Sequence, residues 1–213
     1  MIITHLGKQH FQIKQGDLVV AFNPDSQSSK SKADLVLITT ETFDYNNLAV
    51  YQQAGQSPFV ISGPGEYEVQ NIFVKGFGTF VNLPLDIKSK EKTKLQNTSY
   101  VLTIDNIKIC FLGCLHEELL PEQREIIDEI DILFIPTSAN EDILNSYDAH
   151  KLATKLEPKL IIPMDYNEAS LKIFLKELGQ EKVERLEKLT LKKKDLDDKT
   201  GEVVVFSTQG GKN

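Results

Sequence analysis

The sequence predicts an α+β fold, with two mixed β-sheets packed face to face and helices on the outside. Three observations point to it. The first part of the chain alternates short β-type runs with tight turns. From Pro121 onward the pattern becomes alternating helix and strand, with apolar helical stripes. Two further strands then close the chain.

The opening supplies three strands, Ile2–Leu6, His10–Lys14 and Leu18–Phe22, broken at Gly7 and at Gln15-Gly16. Asn23-Pro24-Asp25 ends the third, and the polar run from Ser26 to Lys32 reads as an exposed loop. A buried strand, Leu35–Ile38, runs straight into the polar stretch Thr39-Thr40-Glu41-Thr42-Phe43-Asp44-Tyr45. A helix is expected from about Asn46 to Ala54, ending near Gly55. Phe59–Ser62, Glu66–Val69 and Ile72–Phe77 are strands, with a strong turn at Gly63-Pro64-Gly65. Gly78 to Asn97, with Lys88, Lys90, Lys92 and Lys94, reads as a long excursion loop, either a solvated flap or a substrate lid.

Tyr100–Ile104 and Ile107–Phe111 form the clearest hairpin, because Asp105-Asn106 suits the left-handed backbone of a type I′ turn. Pro121 opens a helix where its missing N–H costs little. Ile132–Ile135 and Leu160–Ile162 are strands. Ala149, Leu152, Ala153 and Leu156 lie at i, i+3, i+4 and i+7, one apolar helical stripe. Leu171, Phe174, Leu175 and Leu178 repeat it, and Gly179 is the expected cap. Val183–Leu191 and Glu202–Phe206 are the closing strands, with a charged solvated tip, Lys192 to Thr200, between them.

Bulk properties narrow the function. A length of 213 residues suits one large domain, residues 1–213, with no linker in view. The formal net charge of −7 argues against nucleic-acid binding by bulk electrostatics. No run approaches the ~18 apolar residues of a membrane span, and Met1-Ile2-Ile3-Thr4-His5 does not read as a signal peptide, so a cytoplasmic location is expected. Cys110 and Cys114 are then expected to be reduced. No glycine-framed nucleophile elbow supports a serine or cysteine triad.

Four apolar strands end in abrupt polar turns. They are Ile38 into Thr39-Thr40-Glu41-Thr42, Leu112 into Gly113-Cys114-Leu115-His116-Glu117, Ile135 into Pro136-Thr137-Ser138, and Ile162 into Pro163-Met164-Asp165-Tyr166. Strand exits are where layered α/β folds place ligand sites. Pro136 and Pro163 are expected to stop sheet pairing and aim the next residues outward. If these exits share an edge, Asp44, Cys114, His116, Glu117 and Asp165 converge. Plainer roles stand beside the functional ones: Asp44 as a helix cap, Cys114 as an inert buried thiol, Asp165 as a turn former, and His116 and Glu117 as surface. His150 is expected to face solvent and His10 to point inward.

The phrase Phe59-Val60-Ile61-Ser62-Gly63-Pro64-Gly65-Glu66-Tyr67-Glu68-Val69 resembles the metallo-β-lactamase-fold superfamily, in its small prokaryotic branch of ascorbate-phosphate-lactonase-like hydrolases. So do Tyr100–Ile104, Ile109–Gly113, Asp131–Pro136 and Glu157–Met164, so that the resemblance spans nearly the whole chain. It implies a four-layer αββα sandwich with a zinc site at one edge. The same resemblance implies T-H-x-H-x-D-H after Ile38, where this chain has Thr39 but places Thr40, Thr42 and Tyr45 at the histidine positions and keeps only Asp44. Gly7-Lys8 stands for an early glycine-histidine pair, Cys114 for a bridging aspartate, Asp165 for a late histidine, and Val81 for a loop histidine.

Hydrolytic zinc needs about three protein ligands and an open water position, mostly from neutral imidazoles. Threonine hydroxyls are poor ligands, and Lys8 repels a cation. The expectation is therefore a non-catalytic homologue with no zinc cofactor and no metal ligands. It would bind an unknown ligand or protein partner in a pocket at the old active edge, formed by Thr40, Thr42, Asp44, Tyr45, Cys114, His116 and Asp165. The alternatives are a metal-dependent hydrolase with a remodelled site (Cys114, His116 and Asp165 with Asp44 around one metal) and a structural subunit that dimerises with an active homologue or with itself.

Overall fold

Apolar residues at every second position of the opening strands turn toward one interior, and this sets the architecture. Strands β1 (Ile2–Gly7), β2 (His10–Gln15), β3 (Leu18–Phe22), β4 (Leu35–Leu37), β5 (Phe59–Ile61) and β13 (Lys188–Thr190) make a six-stranded sheet in the order β13-β1-β2-β3-β4-β5. Strands β6 (Gly65–Val69), β7 (Ile72–Pro84), β8 (Lys92–Ile104), β9 (Ile107–Phe111), β10 (Ile132–Pro136), β11 (Leu160–Met164) and β14 (Glu202–Val203) make a seven-stranded sheet in the order β14-β11-β10-β9-β8-β7-β6. Both sheets are mixed. β3, β4 and β5 run parallel in the first, and β9, β10, β11 and β14 in the second. The computed structural model describes residues 1–26, 31–52, 57–85 and 91–207.

The main core lies between the sheets. Phe11, Ile13, Val20, Phe22, Leu35 and Leu37 meet Val74, Tyr100, Leu102, Ile109, Phe111, Phe134 and Ile162 there. Phe22 stacks on Phe111 with ring centroids 4.4 Å apart, and Phe11 meets Phe134 edge-on at 5.0 Å. Each such ring contributes about 1.5–3 kcal/mol by burial. The outer face of the seven-stranded sheet is covered by α1 (Pro121–Ile127), α2 (Ser146–Leu156) and α3 (Glu168–Glu177). The two predicted stripes form this contact, with Ala149, Leu152 and Ala153 of α2 and Leu171, Phe174 and Leu175 of α3 buried. Gly179 follows α3 at φ +67°, as a cap requires, and Pro121 sits at the start of α1. Asp105 and Asn106 have φ of +52° and +60°, the type I′ geometry their sequence foretold. Among the described residues no helix is long and apolar enough to cross a membrane.

Several expectations need correction. The helix expected over Asn46–Ala54 is only a 3-10 turn, Leu48–Val50, and residues 53–56 lie outside the described set. Asn46 and Asn47 are poor helix formers, and the Asn47 N–H donates to Pro24 O instead. Val50 and Tyr51 still cover the six-stranded sheet, packing with Ala21, Val36 and Ile38. Asp44 therefore caps no helix; it pairs with Lys8 at 2.7 Å.

The excursion loop expected over 78–97 is sheet on both flanks. β7 and β8 stay in register from Val74↔Leu102 to Pro84↔Lys92, while residues 86–90, with Lys88 and Lys90, lie outside the described set. Val81, Leu83 and Leu95 turn inward and Phe80, Asn82, Lys92 and Lys94 outward, a period-two pattern that the lysines obscure.

At the end of the chain, each predicted strand splits in two. Val183–Leu191 becomes β12 (Arg185–Leu186) and β13, and Glu202–Phe206 becomes β14 and β15 (Val205–Phe206); β12 and β15 form a parallel pair of their own. The charged tip is anchored rather than simply solvated. Leu196 is fully buried, and Lys193 Nζ binds Asp131 at 2.6 Å. Pro136 and Pro163 remain within β10 and β11, where the register pairs Ile135 with Pro163 and Pro136 with Met164. The next residue, Asp165, has φ +55°, and that is where the chain turns away. The described part of the Ser26–Lys32 loop is irregular, and 27–30 lie outside the described set.

Candidate functional site

Four chain segments meet at one end of the strands. The β1–β2 turn brings Lys8 and Gln9. The exit of β4 brings Thr39 to Tyr45. The exit of β9 brings Gly113 and Cys114, and that of β11 brings Asp165. Gly113 makes the close approach possible. Its φ is +64°, and a Cβ there would lie 2.5 Å from Thr39 Cβ and 2.6 Å from Asn97 Oδ1. Asn97 fixes the next residue by accepting from the Cys114 N–H at 2.8 Å while its own amide donates to Leu112 O and Thr79 Oγ1.

Asp165 is the acceptor at the centre. The Tyr45 hydroxyl donates to its Oδ2 at 2.8 Å, and Gln9 Nε2 donates to the same oxygen at 3.2 Å. Gln9 Nε2 also lies 3.5 Å from Cys114 Sγ. Gln9 is held in turn by Asn23, whose amide donates to Gln9 Oε1 at 2.9 Å and to Thr39 Oγ1 at 2.8 Å, while Asn23 Oδ1 accepts from the Thr39 N–H. The Asp165 N–H donates to Lys8 O at 3.2 Å, and His5 Nε2 donates to the same carbonyl at 3.1 Å.

Burial pushes the Asp165 carboxyl above its ordinary value, and the hydrogen bonds from Tyr45 and Gln9 and the charge of Lys8 offset that only in part. Burial, and then the nearby Cys114 and Asp165, raise the Tyr45 phenol well above its usual range, so it remains a donor. The Cys114 thiol is raised for the same first reason and stays protonated. Lys8 and Asp44 cancel one another at the half-exposed rim.

The flanks of the β7–β8 hairpin pack against this cluster. Val81 and Leu83 pack with Tyr45, Cys114 and Ile143 in one buried apolar group, with Leu95 against it. Lys92 ties the hairpin to the next loop, reaching Asp142 at 2.5 Å and Glu141 at 3.2 Å. The hydrogen bonds that Lys92 donates to Asp142 and Glu141 raise its ammonium above the usual value.

Of the seven residues expected at this edge, the structure joins Tyr45, Cys114 and Asp165 directly, and Asp44 through Lys8. Thr40 and Thr42 are buried in the β4 exit, the Thr40 hydroxyl without a hydrogen-bond partner among the described residues. His116 lies apart from the cluster, lining a cleft with Glu118, Leu144, Asp148, Lys151, Leu152 and Lys155. Cys110 and Cys114 are both buried and unbridged. His10 is buried, as expected, and its Nε2 meets the Tyr51 hydroxyl. Sequence reasoning missed Gln9, Asn23 and Asn97. Of these only Gln9 left a signal, as the neighbour of the Gly7-Lys8 pair.

The zinc implied by the resemblance does not fit these side chains. A metal-binding carboxylate must turn free lone pairs to the ion, whereas Asp165 commits Oδ2 to two donors and Asp44 commits Oδ1 to an ammonium. Among the described residues no three His, Cys, Asp or Glu side chains are grouped so as to hold a metal ion.

Comparison with known proteins agrees with this frame. Residues 2–165 match the family model of the beta-lactamase superfamily domain. A provisionally assigned Zn-dependent hydrolase of the metallo-beta-lactamase superfamily from Thermotoga maritima is 27% identical, with a TM-score of 0.71 over 98% of this chain and 99% of its own. A provisionally assigned metal-dependent hydrolase from Parabacteroides distasonis is 18% identical, with a TM-score of 0.67 over 97% of this chain and 93% of its own. Igni18, a metallo hydrolase from Ignicoccus hospitalis, is 16% identical, with a TM-score of 0.62 over 90% of this chain and 99% of its own. The last two show the shared fold. No curated protein sequence matches the chain.

Proposed function

The chain belongs to the beta-lactamase superfamily, and from that premise we propose that it is a member without the family's zinc chemistry, a non-catalytic protein that binds a ligand or a protein partner at the edge where its relatives carry out hydrolysis. The carrying observation is the Asp165 carboxylate, satisfied by the Tyr45 hydroxyl and the Gln9 amide rather than left open for an ion. Where an active member would present imidazoles, Thr40 and Thr42 are buried hydroxyls and Tyr45 is a protonated phenol. Lys8 supplies the positive charge beside Asp44. Val81 and Leu83 pack hydrocarbon against Tyr45 and Cys114, where a zinc site needs an open position for water.

The test is turnover. Purified protein, with zinc or manganese supplied in excess, is assayed against a phosphodiester, a lactone and a β-lactam. No hydrolysis above buffer is expected. Metal-dependent turnover that Asp165→Ala abolishes would establish the remodelled hydrolase instead.

A further inference from the structure

We propose that the cleft between the β9 exit loop and α2 is a binding site for a small amphipathic organic anion. The inference goes beyond the role proposed above and concerns a second place on the molecule. It concerns groups outside the Asp165 cluster. The cleft encloses about 480 Å³, within the range of small-molecule sites. Its position is set by the backbone: the Leu144 N–H donates to Leu115 O at 2.8 Å, tying the segment before α2 to the loop that carries His116. Asn145 then caps α2 by accepting from the N–H groups of Tyr147 and Asp148. Lys151 and Lys155, four residues apart on α2, thereby share one face beside His116.

Two kinds of surface meet there. Leu144 and Leu152, both nearly buried, give an apolar floor. Lys151 and Lys155 give a basic side, with the carboxylates of Glu118 and Asp148 on the same lining. Lys151 is paired with Asp148 on its own helix at 3.0 Å. Among the described residues Lys155 has only a loose partner, Glu118, at 4.0 Å, and that carboxylate comes from a side chain 86% exposed. A pair so long and so solvated holds little energy. Glu118 thus marks where an incoming carboxylate or phosphate would sit: its headgroup on Lys155, its hydrocarbon on Leu144 and Leu152. A cation of the same shape would meet Lys155 with like charge.

Octanoate is the probe, octylamine the control, and the readout is the shift of backbone and imidazole signals in nuclear magnetic resonance. Saturable octanoate shifts are expected at His116, Leu144 and Leu152, with at least about tenfold weaker binding in Lys155→Glu and about threefold tighter binding in Glu118→Gln. Both substitutions lie on exposed side chains, and an unchanged melting temperature confirms that each variant is folded. Absence of saturable binding at millimolar octanoate, equal binding of octylamine, or an unaltered affinity in Lys155→Glu would each overturn the assignment. These outcomes do not depend on metal. Zinc-dependent turnover would refute the non-catalytic role and leave the cleft standing, whereas loss of octanoate binding alone would refute the cleft.

Discussion

The Tyr45 hydroxyl donates to Asp165 Oδ2 at 2.8 Å, joining residues 120 positions apart in the chain. The resemblance read from the sequence puts a histidine at each of the two positions; in this chain they hold one another. Tyr45→Phe removes the donor and leaves the carboxylate with Gln9 alone. The expected cost is about 1–3 kcal/mol in chemical denaturation. In an Asp165→Asn background the same change should cost less, because the acceptor is no longer charged; an equal cost in both backgrounds would mean that the two residues are not coupled.

The hairpin cover can be tested by thinning it. Val81 is almost fully buried against Tyr45 and Cys114. Val81→Ala leaves a void over the cluster and should destabilise by about 1–3 kcal/mol. Lys92→Ala, which cuts an exposed latch to Asp142 and Glu141, should cost less than Val81→Ala, because solvent screens the pair. Hydrogen exchange on the amides of residues 80–84 reports both changes.

Asp131 anchors the opposite end of the sheet. Its carboxylate accepts from Lys193 Nζ at 2.6 Å and from the Lys108 N–H at 2.8 Å, and pairs with Lys159 at 3.1 Å. Desolvation pushes this carboxyl up, but Lys193, the Lys108 N–H and Lys159 together outweigh it and hold it below the ordinary carboxylate value. A lowered folded pKa means that the unfolded chain binds the proton first. The stabilisation is therefore present above the usual carboxylate pKa of 3.8 and is lost as the pH falls below it. Asp131→Asn should destabilise by about 2 kcal/mol at pH 7 and by progressively less in acid.

His10 gives a pH dependence of the same sign in a different window. Burial lowers its imidazole from 6.5 to about 4; the charge of Asp25 opposes the shift and His5 adds to it. Between those two values the unfolded chain holds a proton that the folded chain does not, so stability falls as the pH drops from 6.5 to about 4. His5, also lowered by burial, contributes in the same direction. His10→Gln cannot titrate and should flatten the melting-temperature profile between pH 6.5 and about 4.

Elements specified by local chemistry were legible in the sequence. Asp105-Asn106 demands a left-handed turn, Pro121 a helix start, and Leu171, Phe174, Leu175 and Leu178 a buried helical stripe, and each stands where it was expected. Elements decided by distant packing were not. The β7–β8 hairpin hides its alternation of Val81, Leu83 and Leu95 among lysines, and its inward face is defined by Tyr45 and Ile143 from elsewhere in the chain. β12 and β13 leave one predicted strand for two sheets because their partners, β15 and β1, lie in different places. At the site, the departure of Thr40, Thr42 and Tyr45 from the resembled pattern was an expectation drawn residue by residue. What stands in place of that pattern could not be read, since Gln9 reaches Asp165 and Cys114 only once three strand ends have met. His116 was expected with Asp165 and lies instead beside α2, because Leu115 is drawn to Leu144.

Metal content is the most direct measure of the central claim, that Asp165, Tyr45 and Gln9 bind one another in place of a catalytic ion. Protein purified without chelator is passed through a desalting column and analysed by inductively coupled plasma mass spectrometry for zinc, iron and manganese. Less than about a tenth of an equivalent of any of them is expected, with a melting temperature unmoved by chelator. Close to one or two equivalents of zinc or iron, lost in Asp165→Ala, would contradict it.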